Sequence, residues 1–215
     1  MPHNITRLVV TDLSENCYIV ADDDSRAVVI DPGGDADRIL RHTTESGMTV
    51  GLILLTHGHA DHICATKALK QATGARVGIH AADAPMMNSA LMCGAEWLGM
   101  AFEPVKPDFL LEPPTPATFG GITLEPIHTP GHSPGSCILV DRANGVVFSG
   151  DLVFRGAVGR WDLPFGDMNA LRRSLREGFM TLPREYIVYP GHGEATTVGD
   201  ELATNPFLLH NGAWQ

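Results

Sequence analysis

A layered α/β domain is the fold class this sequence predicts, and three observations predict it. Short apolar runs rich in β-branched residues recur between turn signals, the pattern of strands. Fewer segments carry the 3.6-residue apolar periodicity of helices. The strands fall into two series with helices between them, which calls for stacked layers around an apolar core.

The strand expectations, in order, are residues 6–10, 17–21, 27–30, 52–55, 77–79, 122–127, 137–140, 146–148 and 186–188. A helix is expected over 36–46, after a Gly-Gly-Asp start. A second is expected over 63–73, stopped by Gly74, since glycine adopts the left-handed conformation that ends helices. A third, over 168–181, sets Leu171, Leu175, Phe179 and Leu182 on one apolar stripe. Residues 85–116 differ, with prolines at 85, 104, 107, 113, 114 and 116 and with Met86, Met87, Met92 and Met100. A helix near 90–100 and a proline-stiffened loop are expected there, Trp97, Leu98 and Phe102 adding apolar weight. The segment reads as a core-packing excursion, with a wall or lid over a site as its functional alternative. No repeat, low-complexity stretch or linker divides the chain, so residues 1–215 are expected to form a single domain.

Of the 215 residues, 44% are hydrophobic and 19% charged, which excludes a disordered chain. No apolar run approaches the ~20 residues needed to span a bilayer, and residues 1–12 hold no signal-peptide core. A cytoplasmic protein is the expectation. With 15 basic against 25 acidic residues the net charge is −10, so neither nucleic acid nor an anionic membrane is an expected partner. Cys17, Cys64, Cys93 and Cys137 form no C-x-x-C pair and read as reduced thiols.

The histidines carry the chemistry. Thr56-His57-Gly58-His59-Ala60-Asp61-His62 follows the apolar run 52–55. His57 and His59, two apart in a loop, can converge on one ion; Asp61 and His62 open the next helix and point elsewhere, so one segment can serve two metal positions. Three more strands end the same way. Residues 122–127 run into His128-Thr129-Pro130-Gly131-His132, residues 146–148 into Ser149-Gly150-Asp151, and residues 186–188 into Tyr189-Pro190-Gly191-His192. Rigid strands aim short Gly/Pro turns, each presenting a His or Asp. Imidazole and carboxylate without thiolate suit zinc, iron or manganese in an open site, not a closed structural zinc site. His128 reads as a supporting histidine, and His3, His42, His80 and His210 receive no role.

These motifs resemble those of the metallo-β-lactamase-fold hydrolases, whose signature is His-x-His-x-Asp-His, then a His, an Asp and a last His. The resemblance covers essentially the whole chain. It implies an αβ/βα four-layer sandwich with the metal site at one edge. It implies two divalent ions, zinc first with iron or manganese as alternatives. One ion would be held by His57, His59 and His132 and the other by Asp61, His62 and His192, with Asp151 bridging; Asp61 and Asp151 are thereby the catalytic carboxylates. The stretch Phe154–Asp162 resembles the Gly-Arg-Thr-Asp region of short, single-domain glyoxalase II-like (hydroxyacylglutathione hydrolase-like) enzymes, with Trp161 where threonine is usual. Persulfide dioxygenases carry a similar stretch. The resemblance makes Arg160, Arg155 and Trp161 the substrate-binding expectations. Asn205-Pro206-Phe207 resembles a C-terminal element of the glyoxalase II group.

A shared metal-bound water and an ion that polarises a carbonyl supply the parts for attack on an acyl carbon. No motif marks a dedicated general acid, although Tyr18, Tyr189 or Asp61 could serve. A thiolate departs with little protonic help, so a small-molecule thioester, S-2-hydroxyacylglutathione or a related compound, is the expected substrate. Residues 193–215 contain no Lys or Arg, so glutathione recognition by basic residues of an added C-terminal domain is not expected. The rival readings are a mononuclear iron persulfide dioxygenase using His57, His132 and Asp151, and a lactonase of the same fold. A β-lactamase is disfavoured because Asp151 stands where those enzymes commonly place Cys or His, and a nuclease by the charge. Oligomeric state is left open.

Overall fold

The computed structural model describes residues 3–209, so His210 lies outside the described residues. The first sheet has six strands in sequence order: β1 (Asn4–Val10), β2 (Glu15–Ala21), β3 (Arg26–Ile30), β4 (Thr49–Leu54), β5 (Arg76–His80) and β6 (Phe109–Leu111). β1, β2 and β3 pair antiparallel and β3 to β6 parallel. The connections carry helices α1 (Ala36–Glu45), α2 (Ala60–Ile63), α3 (Thr66–Thr73), α4 (Ala90–Cys93) and α5 (Ala95–Leu98). The second half supplies β7 (Ala117–Phe119), β8 (Ile122–His128), β9 (Cys137–Asp141), β10 (Val146–Gly150), the hairpin β11 (Val153–Phe154) and β12 (Ala157–Val158), helix α6 (Met168–Glu177), β13 (Ile187–Pro190), β14 (Thr196–Thr197) and helix α7 (Val198–Thr204). Its six-stranded sheet runs β14-β13-β10-β9-β8-β7.

Strand alternation divides the core into three slabs. On β2 and β3, Ile19 and Val29 face the α1–α3 side, whereas Tyr18, Val20, Val28 and Ile30 face the other sheet. On β9 and β10, Leu139, Val146 and Phe148 meet that inner slab, while Ile138, Val140 and Val147 face α6 and α7. Two sheets with helices outside each are the four-layer sandwich that the family resemblance implies. β2 is buried along its whole length because both of its faces are covered. The apolar stripe of residues 171–182 lies in the outer slab of the second sheet, as its spacing predicts.

Three helix expectations differ in extent. The one over 63–73 is two helices, because the Ala65 N–H donates to Pro32 O (2.9 Å) instead of to a helical carbonyl. The one near 90–100 is broken into single turns at Gly94, whose φ of 88° is left-handed. The α-helix over 168–181 stops at Gly178 and continues as a 3₁₀ turn, Phe179–Thr181. Strands β6, β7, β11, β12 and β14 were not legible because each is two or three residues long, below the length at which alternation shows. Among the described residues no helix is long and apolar enough to cross a membrane, and the four cysteines are free thiols.

Phe148 anchors the inner slab. Fully buried, it packs against Tyr18 (centroids 5.3 Å apart) and Tyr189 (5.6 Å). Phe148→Ala is expected to cost about 3–5 kcal/mol of unfolding free energy through lost burial and the cavity left behind, measurable by urea denaturation.

Candidate metal centre

The expected ligand set sits in the loops that follow four strands and in the one-turn helix α2 after the first of those loops. β4 ends in buried Leu54 and Leu55, and Thr56–His59 follows as the loop leading into α2, which carries Asp61 and His62. His132 lies in the loop after β8, Asp151 directly after β10 and His192 directly after β13. These strand ends meet at one edge of the sandwich.

The structure brings all seven side chains together. Ligand atoms of His57, His59 and His132 lie within 4.8 Å of one another, and so do those of Asp61, His62 and His192. Asp151 stands between the two groups: its Oδ1 is 3.3 Å from His62 Nε2, its Oδ2 3.4 Å from His132 Nε2 and 3.8 Å from His192 Nε2. Asp61 Oδ2 is 3.3 Å from His192 Nε2. His59 Nδ1 and His132 Nε2 face each other at 2.8 Å.

The outer ring nitrogens are held from behind, and this decides which nitrogen turns inward. Asp31, at the end of β3, accepts from Thr56 N (2.7 Å), Thr56 Oγ1 (2.6 Å) and His62 Nδ1 (3.0 Å). The Thr56 hydroxyl in turn accepts from His57 Nδ1 (3.1 Å). His132 Nδ1 donates to Arg160 O (2.7 Å) and His192 Nδ1 to Leu13 O (3.2 Å). Four rings thus present Nε2 to the centre. Of the atoms so presented, His57 Nε2, His62 Nε2 and Asp151 Oδ1 are buried without any hydrogen-bond partner. Orphaned buried polar atoms cost about 1–3 kcal/mol each. A cluster of them on nitrogen and oxygen donors, with no thiolate, fits one or two divalent cations.

Electrostatics follow from burial and proximity. Burial disfavours charge on His62, but the carboxylates of Asp151 and Asp61 outweigh it and hold its pKa well above the usual imidazole value. Burial opposes charge on His192 as well, and Asp61 and Asp151 raise its pKa nonetheless. Asp151 would be pushed up by burial, yet His62, His132 and His57 hold it well below the carboxylate range. His57 is lowered by burial and by the neighbouring rings, and His59 falls to about 3 for the same reasons. Without metal, the carboxylates of Asp61 and Asp151 thus favour the protonated form of His62 and His192.

Several supporting residues escaped the sequence reading. Asp83, fully buried, accepts from Gly58 N (2.9 Å), Gly135 N (2.6 Å) and Ser133 Oγ (2.5 Å), tying the His57 loop to the His132 loop. Asn16 Nδ2 donates to Pro190 O and Gly193 O (both 2.9 Å), and its backbone N–H to Gly191 O (2.7 Å), fastening the His192 loop to β2. Glu15 lies 3.7 Å behind His62 Nδ1 with both oxygens buried and unpartnered, its carboxyl pushed well up by burial. Only Asp31 carried a local signal: Asp31-Pro32-Gly33-Gly34 repeats the strand-end Gly/Pro pattern of the other ligand loops. At Gly191 a Cβ would collide with Asp151 Oδ1 and His62, so glycine is required there.

The other expected residues separate. Arg160 lines a cavity of about 310 Å³ that opens onto His59, Asp61, His132, Asp151 and His192. Arg155 instead lines a different cavity beside α7, because the β11–β12 hairpin turns it away. Trp161 packs half-buried against Phe207, ring centroids 6.2 Å apart. Tyr18 is no acid candidate: its buried hydroxyl donates to Pro190 O (2.7 Å), and burial raises its pKa. Tyr189 packs half-buried against the inner slab. His128 is in neither ligand group; it stacks on His80 (4.1 Å) and bonds Pro134 O (2.9 Å). Asn205 fastens the hairpin through Phe154 O (3.5 Å) and Ala157 O (3.0 Å).

Comparison with known proteins agrees with fold and site. Residues 10–192 match the metallo-beta-lactamase superfamily domain, and the chain belongs to that superfamily. It is 36% identical over 210 residues to hydroxyacylglutathione hydrolase GloC of Haemophilus influenzae, covering 95% of this chain and 98% of that one. The crystal structure of BLEG-1 B3 metallo-beta-lactamase superposes with a TM-score of 0.91 at 36% identity, covering 95% of this chain and 99% of that one. That of TTHA1623 in a di-iron-bound form does so with a TM-score of 0.86 at 40% identity, covering 94% and 100%. By fold and by its His/Asp site the chain is a metal-dependent hydrolase.

Two outcomes are expected. Metal uptake displaces protons from His62 and His192, so binding near pH 7 releases protons and weakens as pH falls; calorimetry in buffers of different ionisation enthalpy measures this. Asp31→Ala frees the His62 ring and the Thr56 hydroxyl, and is expected to lower metal affinity about 10–100-fold, read by competition with a chromogenic chelator.

Proposed function

We propose that the protein is a binuclear metallohydrolase that cleaves a small-molecule thioester, in the manner of glyoxalase II. The observation that carries the reading is Asp151, whose two carboxylate oxygens reach one histidine of each ligand group, 3.3 Å from His62 and 3.4 Å from His132. In this reading His57, His59 and His132 would hold one ion and Asp61, His62 and His192 the other, with Asp151 placed between the two groups to serve both. Zinc is the first choice for both, with iron or manganese as alternatives. Two such ions supply a water that ionises near neutral pH and a Lewis acid for the acyl oxygen.

The chain's own groups set the rest. Asp61, held ionised by His62 and His192 against its burial, accepts a hydrogen bond from the attacking water and orients it. Asp61 is thereby unsuited to protonating a leaving group, and the Tyr18 hydroxyl is committed to Pro190 O. A leaving group that needs no proton suits such a site, and a thiolate meets that condition. Arg160 is the member of the expected substrate-binding set that reaches the cavity. The similarity to hydroxyacylglutathione hydrolase GloC supports the thioester class.

The test pairs metal analysis with matched substrates on one preparation. Two equivalents of metal are expected, with an N-acetylcysteamine thioester preferred over its oxygen-ester counterpart by at least about tenfold in kcat/KM, ~1.4 kcal/mol. One ferrous ion with oxygen uptake on a persulfide would overturn this in favour of a dioxygenase, and preferential turnover of a homoserine lactone in favour of a lactonase.

A further inference from the structure

The cavity over the metal centre has a lining that the hydrolytic chemistry does not use. One wall is the α4–α5 segment, which contributes Met92, Trp97 and Leu98; Phe154, Leu163 and Leu13 also line the hollow. Trp97 is 58% exposed, Leu98 46% and Leu13 44%. Large apolar side chains left this open lose the stabilisation that burial would give, and three of them facing one hollow mark a ligand-binding surface. The wall is anchored rather than loose. Met86 and Met87 in the preceding 3₁₀ turn are buried in the core. Gly94 then reverses the chain, and its carbonyl accepts from both Trp97 N and Leu98 N (3.1 Å each). Phe154 sets its ring edge against His192 (centroids 5.9 Å).

Away from the metal-binding His and Asp residues, the side chains around this hollow do not suit an anionic group on the body of a ligand. Among the described residues that line it, the basic side chain besides His59, His132 and His192 of the metal centre is Arg160. Its guanidinium is already held in a two-point pair with Asp162, Nε to Oδ1 and Nη2 to Oδ2, both at 2.9 Å. A second cavity of about 500 Å³ shares Leu13 and Leu98 with the first. It is lined by Asp12 and Asp35, and by no Lys or Arg among the described residues. A thiol bearing two free carboxylates, as glutathione does, would meet carboxylates of the protein in the second hollow and an arginine already paired with Asp162 in the first.

We propose that the site selects thioesters whose bodies are apolar and uncharged, with Trp97 and Leu98 as the specificity-determining side chains. The reaction class rests on the thioester reading above, whereas the apolar preference rests on the cavity alone. Each methylene seated against the wall is expected to raise affinity about three- to fourfold until the hollow is filled.

Two measurements on the metal-loaded protein test this. In the first, kcat/KM is compared for acetyl, butanoyl and hexanoyl thioesters of N-acetylcysteamine and for S-lactoylglutathione. In the second, calorimetry gives the affinity for acetate, butanoate and hexanoate, which needs no turnover. Both series are expected to rise with chain length, with lactoylglutathione below the hexanoyl thioester. The W97A/L98A double variant is expected to flatten them, and W97F to keep most of the slope, which separates loss of the wall from loss of folding. A rising carboxylate series without thioester turnover upholds the apolar site and removes the thioester reading. A flat carboxylate series, or lactoylglutathione outperforming the hexanoyl thioester, overturns the proposal.

Discussion

His57 Nε2, His62 Nε2 and Asp151 Oδ1 are sealed from water without a hydrogen bond, the last two facing each other at 3.3 Å, and the scaffold around them keeps them so. Left alone, such atoms would rotate toward solvent or neighbouring backbone groups, since an unmet buried donor or acceptor costs more than an ordinary hydrogen bond returns. They are prevented by what stands behind them. Asp31 fixes His62 directly and His57 through Thr56, and the Arg160 carbonyl fixes His132. Each ring has one nitrogen satisfied by the scaffold and the other withheld from it.

That withholding explains the architecture at the sheet edge. Loops free to move would close over unsatisfied groups, so the ligand loops are short and cross-tied. Asp83 joins the loops of His57 and His132 through three hydrogen bonds at 2.5–2.9 Å, while Asn16 joins the His192 loop to β2. The sandwich core beneath supplies the stiffness: β9 and β10 are buried at every position. Metal-holding and cavity-lining parts interlock: Asp61 and His62 sit on the one-turn helix α2, the Arg160 carbonyl holds His132, and Phe154 of the hairpin lies against His192.

What was readable in the sequence reflects the range over which each signal acts. The ligand positions are local patterns, an apolar run followed by a Gly/Pro turn bearing His or Asp, and these stand out at His57–His62, His132, Asp151 and His192. The apolar runs that mark strands are equally local, and β2, β3, β9 and β10 lie where those runs stand. Asp83 and Asn16 were invisible because their partners lie 25 to 177 residues away, and nothing in their neighbourhoods marks them. The break between α2 and α3 depends on the Pro32 carbonyl, a contact no window of residues 60–73 contains. Arg155 and Trp161 were assigned by resemblance alone, and the direction of a two-residue hairpin sent one to another cavity and the other against Phe207.

The latch between Asn16 and the His192 loop joins groups 174 and 177 positions apart. During synthesis on the ribosome, the second strand emerges long before the loop it must hold, so the nascent protein spends most of its elongation with Asp61 and His62 lacking their third companion. That group of three ligand side chains is thereby completed late, with the docking of the final strands.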